Sequence, residues 1–330
     1  MIKRRQNYLI VIGYLILVLG LLILPWVIDV YDLHIVIIAY IYIILALSLN
    51  LMVGYVGELP LCQAAFFGIG AYVSALLSVK LGIPFWPCLL AAFVVSGFVG
   101  FLIGFITLRL RGHYFVLISL AFAEIIHILV INLEKFTGGP SGIKSIPSPV
   151  LPIPFFGNLI FDSELSFYYL ALIFMLFAIY FMVRLVNSLL GKTFIAIREN
   201  NDLAEAVGIN IFKYKLMAFI IATAFSGLAG SLYAHYVALI SPTILCFDYT
   251  MTPLVMVAIG GQGTILGPII GALIFTALPE YFRILSEYRL VLLGFVLVVT
   301  IVFLPRGITS FLSKIYRILK ERRATDEAIT

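Results

Sequence analysis

Long apolar runs, interrupted by charge only at intervals, dictate what this chain can fold into. Of its 330 residues, 63% are hydrophobic and 11% charged, whereas a soluble domain carries about 25% charge. The runs reach about 20 residues, the length at which a helix crosses a hydrocarbon core of about 30 Å. None shows the ten-residue alternation of an outer-membrane strand. Lipid offers the backbone no hydrogen-bond partners, so each span must satisfy its own donors and acceptors, and helices do so. The expected fold is all-α and integral to the membrane: a polytopic helical bundle of about 10 transmembrane helices in one domain over 1–330.

The expected spans are 8–28, 34–54, 61–79, 86–108, 114–132, 167–187, 214–239 and 288–304, with a broken or re-entrant pair at 251–279. The start, Lys3-Arg4-Arg5 followed by apolar residues from Tyr8 to Ile28, has an apolar stretch too long for a signal peptide, so it is expected to remain as the first span. Small residues crowd the third span at Ala64, Ala65, Gly68, Gly70, Ala71, Ser74 and Ala75, and the fourth carries Gly97, Gly100 and Gly104. Small residues let helix backbones approach closely in lipid. They are equally compatible with a pore lining. Glu124 and His127 lie three apart inside the fifth span; an ionisable residue there is a functional candidate, and mutual pairing is the plain alternative. Between 133 and 165, glycines and prolines replace the apolar pattern, and a structured extracytoplasmic loop is expected. Cys62, Cys88 and Cys246 have no ligand spacing and read as small packing residues.

One stretch, 188–213, cannot live in lipid. Within it Asp202 can cap a helix with Glu205 at N3, and Gly208 can supply the left-handed residue that ends it. The pattern predicts a stub of about one and a half turns. Leu203 and Val207, four apart, share one face of it, while Arg198, Glu199, Asp202, Glu205 and Lys213 frame it with charge. A short capped helix with an apolar face, held outside the membrane, is shaped to dock; an ordinary solvated loop is the alternative.

Charge sets the orientation. Of the 21 lysines and arginines, three precede the first span, two are Arg109 and Arg111, five surround the polar stretch, and six lie in the tail 305–330. Only Lys80, Lys135, Lys144, Arg283 and Arg289 fall on the other side. The positive-inside rule therefore places both termini and 188–213 in the cytoplasm. It also assigns the net charge of +5 to topology, with no nucleic-acid partner implied. Parity adds a constraint: the span ending near 239 leaves the chain outside, yet one span at 288–304 must bring the basic tail inside. Hence 251–279, whose middle reads Gly260-Gly261-Gln262-Gly263-Thr264, makes no net crossing. Non-helical backbone at that depth is tolerated where it is buried in protein or lines a cavity, which makes the break a candidate part of a solute route.

Several motifs in order give a resemblance. Leu49 to Gly57, Ala64 to Tyr72, Leu108-Arg109-Leu110-Arg111-Gly112-His113-Tyr114-Phe115, Thr137 to Gly142, Ala234-His235-Tyr236 and Gly260-Gly261 to Gly267-Pro268 together resemble LivM-type permease subunits of branched-chain amino-acid ABC importers. The resemblance runs from about Ala39 to Gly307. It implies a cell inner-membrane importer with a LivH-like second permease, two cytoplasmic ABC ATPases and an extracytoplasmic substrate-binding protein. ATP and magnesium would sit on the ATPases, leaving no cofactor, catalytic residue or metal in this chain. It further implies that Glu205-Ala206 and Gly208 belong to an EAA-like coupling loop, with Arg198, Glu199, Asn201, Asp202, Leu203, Glu205, Ala206, Val207 and Gly208 as its residues. Gln63, Phe66, Gly68, Glu124, Gly260, Gly261 and Gln262 are the candidates for the translocation pathway. Where the family pattern has serine, glycine and histidine, this chain has Pro60, Cys62 and Gln63. Urea or short amides, carried by close relatives, are the alternative cargo.

No nucleotide chemistry is expected here. Gly191-Lys192-Thr193 imitates the end of a phosphate loop, but Val186 stands where its first glycine belongs. Two other classes remain: a secondary transporter, which calls for several intramembrane carboxylates or an inverted repeat, of which Glu124 alone fits the first, and a structural membrane scaffold, against which the glycine-broken 251–279 segment argues.

Overall fold

The computed structural model describes residues 20–110, 112–153, 157–281, 294 and 307–309. Most of the expected first span, the last span and the basic tail lie outside these residues. Besides a single turn at Glu134–Thr137, ten α-helices organise the described residues: α1 (Val30–Asn50), α2 (Gln63–Leu81), α3 (Phe85–Thr107), α4 (His113–Asn132), α5 (Glu164–Asn187), α6 (Leu189–Glu199), α7 (Asn201–Ala206), α8 (Ile211–Val237), α9 (Phe247–Gly260) and α10 (Leu266–Tyr281). Six of them, α1 to α5 and α8, are long and apolar enough to cross a membrane, α1 continuing as a π-helical stretch, Leu51–Val56.

Burial sorts these spans into an inner and an outer set. In the most apolar window of α1, 78% of residues are buried inside the chain, and in α8 72%, against 33% in α3 and 22% in α4. A helix apolar on all sides belongs either in a core or in lipid, and this chain uses both solutions. The small residues serve the inner packing. A Cβ placed on Gly70 of α2 would lie 2.1 Å from the Gly227 carbonyl oxygen of α8. The backbones touch there, and no other residue permits it. On α3, the Ser96 side chain packs on Gly227 of α8 and Gly100 receives the Thr223 side chain of α8.

The expected break at 251–279 is present as two short helices. With 14 and 16 residues, α9 and α10 are about 21 and 24 Å long at 1.5 Å per residue, each short of the full hydrocarbon thickness. Gly260 abuts the carbonyl of Gly267, and Gly271 abuts that of Met256, so the two run antiparallel as a hairpin. Gly261, at its C-cap, has φ +117°, a backbone region that favours glycine.

The bundle has two distinct ends. At one, β1 (Ile143–Lys144) pairs with β4 (Leu239–Ile240), and β2 (Val150–Ile153) forms an antiparallel hairpin with β3 (Gly157–Ile160). His235 at the end of α8 bonds the Pro147 carbonyl at 2.8 Å through Nδ1 and Ser74 Oγ at 2.9 Å through Nε2. Tyr236 beside it donates to Glu164 at 3.2 Å and bonds His34. The described residues at Pro147 and Glu164 are thus tied to the bundle by specific bonds. The other end carries α6 and α7. The hairpin starts near Ile240 at the first end, turns at the second, and returns Glu280 beside Tyr31 and His34. It makes no net crossing.

Candidate functional site

Three polar caps shape the stretch 188–213. Ser188 Oγ accepts from Gly191 N at 3.5 Å and starts α6, whose Gly191, Phe194 and Ile197 are buried. Asn200, in an extended conformation, accepts from Leu203 N at 3.0 Å through Oδ1 and starts α7. Asn210 accepts from Lys213 N at 3.0 Å and starts α8. Asp202 is therefore not the N-cap expected of it. Asn200 precedes it and has the extended backbone a cap requires, which leaves Asp202 in the first turn, where a carboxylate suits the positive helix end. Glu205 correspondingly lies beyond N3. The other end follows expectation: Gly208 has φ +88°, its N–H donates to Glu205 O at 2.9 Å, and Ile209 N donates to Ala204 O at 3.0 Å, the paired bonds of a Schellman cap.

The stub turns Ala204 inward, at 3% exposure, and Leu203 and Val207 outward, at 64% and 70%. Both ends of α7 are capped, so its orientation is set before anything binds to it. Two exposed apolar side chains on a short, oriented helix would gain about 1.5–3 kcal/mol each if a partner buried them fully. Glu199, Asn201, Glu205 and Ala206 are also exposed around this face.

Arg198 takes a different direction. Its Nη1 donates to the carbonyl of Gly54 and its Nη2 to Glu199 Oε1 at 2.7 Å. Its stem covers Gly57, where a Cβ would lie 2.7 Å from Arg198 Cγ. A second tie joins the start of α8 to the same segment: Lys215 Nζ lies 2.6 Å from Glu58 Oε1, with side-chain exposures of 8% and 14%. A third holds the turn of the α9–α10 hairpin. Asn50, 1% exposed, donates from Nδ2 to Thr264 O at 2.8 Å and accepts from Gly263 N at 3.0 Å. Thr309 Oγ1 donates to Gly260 O at 2.9 Å from the chain's return after the last expected span.

The structure divides the pathway candidates. Gly260, Gly261 and Gln262 come together at the hairpin turn, with Gln262 exposed. Gln63 and Phe66 are interior: Gln63 Nε2 donates to Ser48 Oγ at 2.6 Å, Ser226 Oγ donates to Gln63 O at 3.2 Å, and Phe66 packs on Phe122 and Phe219. The departure from the family pattern at Gln63 thus falls inside the helix packing. Gly68 faces the Leu245 side chain. Glu124 is apart from these, 61% exposed on α4 and 3.4 Å from His127 Nδ1, as the pairing alternative had it. Asn50, Lys215 with Glu58, and the whole of α6 were not anticipated. For α6 a signal existed in the spacing of Gly191, Phe194 and Ile197 behind Ser188.

Comparison with known proteins follows the same lines. A family profile described as "Branched-chain amino acid transport system / permease component" matches residues 33–301. The high-affinity branched-chain amino acid transport system permease protein LivM of Salmonella typhimurium is 36% identical over 81% of this chain and 67% of its own length. LivM of Escherichia coli is 35% identical over the same shares. The LivH permease protein of Salmonella typhimurium is 25% identical over 81% of this chain and 90% of its own. No solved structure matches.

Proposed function

The chain belongs to the branched-chain amino acid transport permease family, and from that premise we propose that it is the LivM-like half of an ATP-driven importer for branched-chain amino acids in the cell inner membrane. A LivH-like permease would pair with it, and two cytoplasmic ATPases would hold the ATP and magnesium. A binding protein would deliver cargo to the end formed by 133–165. Both termini and 188–213 lie on the cytoplasmic side in this reading, in accord with the charge distribution.

The observation that carries it is α7, capped at Asn200 and Gly208 and presenting Leu203 and Val207 outward. Seated in an ATPase cleft, such a stub converts closure of the ATPase pair into displacement of the helices on either side, α6 and α8. The chain itself performs no hydrolysis in this scheme. It supplies the route and the mechanical link.

Reconstitution tests the proposal. Vesicles holding both permeases and both ATPases, supplied with binding protein outside and ATP inside, are expected to accumulate leucine, isoleucine and valine. Accumulation of urea or acetamide in place of these amino acids would overturn the cargo assignment, and uptake without ATP would overturn the importer class.

A further inference from the structure

Arg198 belongs to the coupling stretch by sequence, yet its guanidinium, with one nitrogen on exposed Glu199, reaches with the other to a backbone carbonyl of the bundle. The place it reaches is unusual. Gly54 lies in the last four residues of the π-helical stretch Leu51–Val56, where carbonyls run out of partners within the helix, and π-helical turns recur at functional sites. Arg198 supplies the missing donor from another element. Directly beside this bond lies the turn of the α9–α10 hairpin: a Cβ on Gly263 would be 2.8 Å from Arg198 Nη1 and 2.9 Å from Gly54 O. A Cβ on Gly54 would be 2.3 Å from Gly263 N. The π-helical stretch and the hairpin turn therefore meet backbone to backbone, with the Arg198 and Asn50 side chains beside the contact. Asn50 completes the contact, its amide matching the backbone of 263 and 264 as a neighbouring strand would.

We propose that Arg198 and Asn50 form the mechanical link that carries motion of the α6–α7 unit to the glycine turn at 261–264. Arg198 is a positioning residue in this role, acting through Gly54; Asn50 then locks the turn to α1. Because the end of α6, the end of α1 and the turn share one close-packed junction, α6 cannot shift without dragging the turn or breaking the Arg198 bond. The turn is the irregular backbone at the second end of the bundle, so the link would set whether the route is open there. This inference rests on the docking of α7 to an ATPase.

The test uses the whole importer in vesicles, with a spin label at Gln262→Cys on the turn or at Lys192→Cys on α6. With Arg198 intact, ATP binding is expected to change the signal at both labels. Arg198→Ala is expected to keep the ATPases attached and the Lys192 response intact while abolishing the Gln262 response, and to lower uptake about tenfold, within the usual range of coupling between sites. Arg198→Lys, which retains one donor, is expected to restore part of the Gln262 response. Asn50→Asp, which removes the donor to Thr264 O, is expected to behave as Arg198→Ala does. A Gln262 response that survives Arg198→Ala overturns the proposal, as does loss of the ATPases from that variant, which would place Arg198 in the docking face. Leu203→Asp separates the two readings: retention of the ATPases there would sink the docking of α7, whatever Arg198 does.

Discussion

The ion pair between Glu58 and Lys215 offers the most quantitative prediction. At 2.6 Å, with side chains 14% and 8% exposed, the pair is shielded enough that solvent screening takes away little of its attraction. With an effective dielectric near 20, the gross attraction at this distance is about 6 kcal/mol. Desolvation of the two ions offsets much of it, so the net value of keeping both is small. Removing one is another matter, since it strands the other charge in a closed site, at a cost of about 3–5 kcal/mol. Glu58→Gln and Lys215→Met should each destabilise the protein by that amount. The double variant should recover most of the loss. Unfolding in mixed detergent micelles, followed by tryptophan fluorescence across the four members of the cycle, would measure a coupling of about 5–9 kcal/mol, the summed cost of the two single variants less the small residual cost of the double. A coupling below about 0.5 kcal/mol, the value of an exposed surface pair, would refute the reasoning and show the site to be wet. Lys215 lies near the start of α8, just after the stretch 188–213, so the stranded charge should also loosen the link between α7 and the bundle.

Gly208→Val places a β-branched side chain at φ +88° and should cost about 1–2 kcal/mol of local stability, while Gly208→Asn should cost less because asparagine enters the left-handed region more readily and nothing lies within 4 Å of an added Cβ; proteolysis at 206–210 in the assembled importer reads the difference. Gly70→Leu should wedge α2 from α8, whose Gly227 carbonyl stands 2.1 Å from the new Cβ, and thermal unfolding in detergent should fall sharply; an unchanged midpoint would mean the helices do not touch there. Cys62 is 1% exposed, so maleimide should label it slowly in the native protein and quickly once denaturant exposes it.

How far the sequence announced this arrangement depends on the kind of signal. Span positions were legible because lipid imposes one requirement on some 20 residues in a row, and α2 to α5 and α8 begin and end within a few residues of expectation. The hairpin at 247–281 was legible for a different reason, since parity and the glycines of 260–263 left no room for a straight span. Asp202 misled because a capping box is a pattern of residue types, and Asn200 offered the same chemistry two residues earlier with the backbone already extended. The junction of Arg198, Gly54 and Asn50 could not be read at all. Its members are 144 and 213 residues from their partners, and a single sequence carries no signal for pairing at that separation. The same holds for the bond from Gln63 to Ser48 within the core, which no sequence signal announces.

The central claim is that α7 enters an ATPase. A photo-reactive benzoylphenylalanine at Leu203, in the assembled importer, measures this directly: the account predicts a covalent adduct between this chain and an ATPase subunit, and none from the same group placed at Ser145 at the opposite end of the bundle. Adducts from Ser145 with the ATPase, or adducts from Leu203 with everything but the ATPase, would contradict it.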